Sequence, residues 1–98
     1  MGMTIIADLA AKPENVDELV SLLRELLPET RQYEGCLGIE LHRDKADPNN
    51  FILIEEWETG AHHKEYIAWR TETGTMNQVG AYLIRTPGFR CFDHIETT

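Results

Sequence analysis

The sequence predicts an α+β domain in which helices cover one face of a single four-stranded antiparallel sheet. Three observations carry this. Four stretches alternate apolar residues with the period of a strand. Stretches of helical spacing follow the first and the third of them. The second and third are joined by a short turn sequence, so they pair as a hairpin. A chain of 98 residues suits one core, and residues 1–98 read as a single domain.

The elements follow in order. In "MTIIADLAAK" (3–12), Ile5, Ala7 and Leu9 share one face, with Ile6 and Ala10 on the other. "PENVDELVSLLRELLPETRQYEG" (13–35) places Val16, Leu19, Leu23, Leu26, Leu27 and Thr30 at helical spacing. Pro13, Glu14, Asp17 and Glu18 suit the positive end of its dipole. Pro28 is expected to kink or break this helix, and Gly35 to end it. "CLGIELHRD" (36–44) opposes Leu37, Ile39 and Leu41 to Gly38, Glu40 and His42. "DPNN" (47–50) is a turn with Pro48 pre-set for its second position, and "FILIEEWE" (51–58) completes the hairpin. Thr59 and Gly60 open a second helix, "AHHKEYIAWRTET" (61–73). A short helix from Thr75 sets Met76, Val79 and Leu83 on one stripe, and "FRCFDHIE" (89–96) is the fourth strand.

The order β-α-β-β-α-(α)-β is that of a ferredoxin-like α+β domain. Both faces of the strands carry apolar residues, so the face away from the helices needs a cover as well. A second copy of the same sheet supplies it most simply, which predicts a symmetric homodimer. In this order strands two and four are opposite edges, so Cys36 and Cys91 cannot form a disulfide within one subunit.

Composition excludes several functions. Seventeen acidic residues against nine basic ones give a formal charge of −8, which repels nucleic acid and otherwise favours solubility. No apolar run approaches the ~20 residues that span a bilayer. The N-terminus lacks the basic start of a secretory signal, so a cytoplasmic location with free thiols is expected. Neither the cysteines nor the histidines have the spacing of a metal site, and no metal is expected.

The stretch "FILIEEWETGAHH" (51–63) concentrates the chemistry. Trp57 and Glu55 share strand parity with Phe51 and Leu53, so both point toward the core side. A carboxylate there needs a structural partner, or else it has a raised pKa and acts as a general base. His62 and His63 point about 100° apart on a helix and cannot share a metal. His62 lies on a stripe with Tyr66 and Trp69, and His63 with Ile67 and Arg70; one stripe must face the sheet. Arg70 suits either a substrate oxyanion or a solvent-facing ion pair. His42 and His94 sit on the second and fourth strands.

The strings Pro28-x5-Glu34-Gly35-Cys36-x-Gly38 and Phe51-x-Leu53-x-Glu55-x-Trp57-Glu58, followed by a helix beginning near Ala61, resemble the antibiotic-biosynthesis-monooxygenase family, and within it the small bacterial quinol monooxygenases. The resemblance spans nearly the whole chain. It implies a dimeric α+β barrel, a pocket between sheet and helices, and oxidation of quinols or phenols by O2 without metal or organic cofactor. Two departures stand out. Leu53 replaces the asparagine of the aromatic-polyketide oxygenases, and "EYIAWR" stands where many relatives carry helical histidines.

The chemistry implied is deprotonation of a phenol, whose pKa lies near ~10, in a dry cavity beside O2. A histidine titrating near neutrality suits that step. The expected catalytic residues are His63 first and His42 second, with Trp57 as an orienting donor. Glu55, Tyr66, Trp69 and Arg70 are the expected substrate contacts. The other readings of this sequence are a non-oxidative isomerase on the same fold and a non-catalytic ligand-binding dimer.

Overall fold

Met3, Ile5, Ala7 and Leu9, every second residue of the first strand, are apolar, and this alternation builds the sheet around it. The computed structural model describes residues 2–98. Its elements are β1 (Met3–Ala10), a 3-10 turn (Pro13–Asn15), α1 (Val16–Arg31), β2 (Cys36–Arg43), β3 (Asn50–Trp57), α2 (Gly60–Glu72), α3 (Thr75–Gly80) and β4 (Gly88–Asp93). The strands are antiparallel in the order β2-β3-β1-β4, the ferredoxin-like arrangement. Cys36 and Cys91 therefore lie on opposite edge strands, and both are free.

Register turns the alternation into rows on the helix-covered face. One row is Cys36, Trp57, Met3 and Asp93, and the next is Ile39, Glu55, Ile5 and Cys91. Then come Leu41, Leu53, Ala7 and Phe89, and last Arg43, Phe51 and Leu9. Above these rows the core divides in two. Leu9 and Phe51 join the α1 leucines, Val79 and Leu83 in an aliphatic cluster. Ile5 and Trp57 join Tyr66, with Tyr33, Ile67 and Trp69 packed alongside. Leu41 and Leu53 of the third row pack against the aliphatic cluster, whereas the row's Ala7 belongs to neither cluster.

α1 buries Leu19, Leu22, Leu23, Leu27 and Thr30, the stripe that a 3.6-residue period places on one side. Pro28 does not break it; α1 continues to Arg31. Pro28 and Arg24 are both exposed, so the carbonyl that loses its partner at Arg24 turns to water. Gly35 is not the helix stop either. α1 ends at Arg31, and Gly35, with φ of 90°, turns the chain into β2. A Cβ there would meet the His62 ring at 2.3 Å.

Three further expectations change. A bulge between Cys36 and Gly38 throws Leu37 outward, so it leaves the face of Ile39 and Leu41. β4 ends at Asp93, which puts His94 beyond the sheet. The apolar centre of the open face is also narrower than four strands. It comprises Ile6, Ile52 and Ile54 of the central strands with Phe92 of β4, whereas β2 presents Gly38, Glu40 and His42 there. No helix among the described residues is long and apolar enough to cross a membrane.

Candidate active site

Strand parity forces a carboxylate into the core. Glu55 follows Phe51 and Leu53 on the helix-covered side of β3, flanked in its row by Ile5 and Ile39, and is 2% exposed. Its Oε1 accepts a hydrogen bond of 2.9 Å from Nε1 of Trp57, two residues along the same face. Trp57 is completely buried, so its one donor is committed to Glu55.

The start of α2 aims the second group. Thr59 caps the helix, its Oγ1 accepting the His62 backbone N–H at 3.2 Å. From that start the residues turned inward are His63, Tyr66 and Arg70, so the inward face takes members from both stripes distinguished in the sequence. His62 stays at the helix start, its Nδ1 2.7 Å from the Thr59 hydroxyl. His63 Nε2 lies 3.7 Å from Glu55 Oε1, beyond hydrogen-bonding distance, and is a buried nitrogen with no partner among the described residues.

Burial moves both groups toward their neutral forms. It raises the Glu55 carboxyl above its ordinary range, with the Trp57 N–H pulling weakly the other way. It lowers the His63 imidazole. Each is thereby biased toward its uncharged form, with the two side chains 3.7 Å apart. The Cys36 thiol, in the row beside Trp57, is pushed up by burial and stays protonated.

The shallow row at Ala7 leaves a cavity of about 60 Å³ between sheet and helices. Its walls include Leu53, Glu55, Tyr66, Arg70 and Phe89, and leucines of α1 close the far side. Glu55 is its acidic group.

Arg70 is buried and committed to α1. Its Nε donates to the Tyr66 hydroxyl (2.9 Å), Nη1 to Glu29 (2.8 Å), and Nη2 to the Leu26 carbonyl and Thr30 Oγ1 (both 3.1 Å). Tyr66 and Thr30 hydroxyls are 2.6 Å apart, and Thr30 donates to the Leu26 carbonyl at 3.2 Å. Accepting from Arg70, Tyr66 passes its own proton toward Thr30. The guanidinium is an ion-pair partner, though not a solvent-facing one, and it clasps α2 to α1.

Of the residues singled out in the sequence, Glu55, Trp57, His63, Tyr66 and Arg70 come together. Trp69 stands behind them, stacked on Tyr33 with ring centroids 5.3 Å apart and lying under Arg70. His42 is not brought to the site: it lies exposed on the open face, 3.0 Å from Glu40. Sequence reasoning missed Ala7 and Phe89 as site residues. The one signal for Ala7 was a small residue flanked by larger ones on its face; Phe89 gave none, because its place depends on register. Among the described residues, no three His, Cys, Asp or Glu side chains gather where they could hold a metal ion.

The model of the antibiotic biosynthesis monooxygenase family matches residues 2–71, which include all five clustered residues. A solved structure described as an antibiotic biosynthesis monooxygenase is 31% identical to the chain. It superposes with a TM-score of 0.86 over 96% of this chain and 99% of that one. A conserved protein from Methanosarcina mazei Go1 shares the fold at 21% identity, with a TM-score of 0.85 over 94% of this chain and 91% of that one. PA3566 from Pseudomonas aeruginosa does so at 24% identity, with a TM-score of 0.80 over 97% of this chain and 95% of that one. No curated protein matches the chain in sequence. Fold, site-bearing segment and matched residues coincide, and the chain belongs to the antibiotic biosynthesis monooxygenase family.

Proposed function

We propose that the protein oxidises a small phenolic or quinol-type molecule with O2, using neither metal nor flavin, and works as a homodimer. The observation that carries this reading is the meeting of Glu55 with the unpartnered Nε2 of His63 beside an apolar cavity. A phenol admitted at that cavity presents its hydroxyl to Glu55, which accepts the proton once its own carboxyl has ionised, and the His63 nitrogen lies 3.7 Å from that carboxyl. Loss of the proton converts the phenol into an electron-rich phenolate, which can supply electrons to O2 directly. For a hydroquinone the balance closes without another reductant. One oxygen atom forms a bond to a ring carbon, the O–O bond breaks, and the other atom leaves as water, so hydroquinone and O2 give a hydroxyquinone and water. Trp57 acts through Glu55, holding its carboxyl in place. The homodimer reading draws on the apolar centre of the open sheet face.

Oxygen uptake with hydroquinone tests the proposal. The rate should exceed the buffer control and rise with pH as the Glu55–His63 pair gives up its proton. Glu55→Gln should abolish the enzymatic excess, and His63→Gln should change the pH profile. Wild-type rates equal to the control over several quinols would instead favour a non-oxidative isomerase or a ligand-binding dimer.

A further inference from the structure

We infer that the site takes a single-ring aromatic hydroxyl compound whose ring displaces the side chain of Phe89, which makes Phe89 the residue that sets substrate size. The inference rests on the phenolic reading above and adds the size class and its determinant.

The cavity measures about 60 Å³, whereas an apolar cavity of ~150 Å³ is known to take one benzene ring. As it stands, the site has no room for any ring, so a wall must move. Every other lining residue is at least partly buried; Phe89 alone is exposed, at 39%. It stands on β4, an edge strand paired only to β1, directly across from Ala7. No neighbouring strand holds it from the outside, and a rotamer change carries its ring from the gap over Ala7 into water.

What Phe89 leaves behind suits an aromatic ring. Its own ring packs edge to face on His63, with centroids 5.6 Å apart, and an entering ring can take over that contact. The carboxyl of Glu55 lines the same cavity, and the imidazole against which Phe89 packs carries the buried nitrogen without a partner. A buried polar atom without a partner is destabilising, and a ligand hydroxyl satisfies it. The vacated space accommodates one ring, and the existing cavity accommodates its substituents. A second fused ring would run into Leu53 and the α1 leucines.

The test measures binding without turnover. Hydroquinone and 1,4-dihydroxynaphthalene are titrated anaerobically against wild type, Phe89→Ala, Phe89→Leu and Phe89→Trp by calorimetry, with the His63 imidazole followed by NMR. Wild type should favour hydroquinone by ~10-fold or more, the scale on which an apolar pocket discriminates by size. Phe89→Ala should lose that preference, Phe89→Leu should lose part of it, and Phe89→Trp should weaken both ligands. The His63 resonances should shift when hydroquinone binds. An unchanged preference across the three variants, or no binding of either compound to wild type, overturns the inference. The two readings fail separately. Size-selective binding without oxygen uptake removes the oxidation and leaves Phe89 its role. Oxygen uptake with selectivity indifferent to residue 89 does the reverse.

Discussion

Glu55 and His63 are shifted in opposite directions by the same cause, so they give stability opposite pH dependences. Folded Glu55 titrates above its ordinary 4.5. As pH rises past 4.5, the unfolded chain releases a proton that the folded chain retains, and the contribution of Glu55 is lost through its folded pKa. Folded His63 titrates below its ordinary 6.5. As pH falls below 6.5, the unfolded chain takes up a proton that the folded chain refuses, and stability declines toward the folded pKa of His63. Glu55→Gln should therefore be more stable than wild type at pH 8, with the difference vanishing toward pH 4. His63→Gln should lose the decline below pH 6.5. Urea unfolding across pH checks both, and pH-independent differences would show that these side chains do not titrate as described. Glu55 was legible as an inward carboxylate from parity alone. Its partners were not, because the Trp57 bond depends on rotamer and the His63 approach on how α2 lies over β3.

Among the elements, β1 decides where the cavity lies. The row Leu41–Leu53–Ala7–Phe89 has its smallest member at the centre, beneath the gap between the aliphatic and aromatic clusters. Ala7→Val adds two carbons there in a residue type that strands favour. It should raise stability by about 1 kcal/mol, the usual yield of filling a cavity. It should also weaken hydroquinone binding by ~10-fold. A higher urea midpoint with weaker binding would identify this gap as the ligand site; unchanged binding would place the ligand elsewhere. α2 shows the limit of periodicity. Its sequence offered two stripes, and the structure turns in His63 with Arg70 from one and Tyr66 from the other. Packing against both α1 and the sheet broadens the buried face beyond a single line.

For the whole molecule, the open sheet face is the unfinished feature. Ile6, Ile52 and Ile54 form its centre, and hydrogen-bonded or charged pairs border them: Thr4 with Glu56 (2.7 Å), His42 with Glu40 (3.0 Å) and Arg90 with Asp8 (3.9 Å). An apolar middle within a polar rim is the anatomy of a protein interface. Sedimentation at low micromolar concentration should give twice the 11.2 kDa chain mass. Ile54→Lys should give a monomer with the same circular dichroism spectrum. A wild-type monomer would mean that this face is left to water.

The sequence by itself determined what depends on near neighbours along the chain. Strand alternation and helical spacing follow from backbone geometry within a few residues, so the element order, the inward side of β3 and the hairpin could be read directly. Order also sufficed to separate Cys36 from Cys91. Tertiary structure decided everything that requires two distant segments to meet: the unpartnered His63 nitrogen beside Glu55, the clasp of Arg70 on Thr30 and Glu29, the gap over Ala7 and the ring of Phe89 beside it. It also placed His42, the second expected base, on the open face of β2, on the side of the sheet away from His63 on α2. Register and helix docking are set by the packing of the entire core, and no local pattern encodes them.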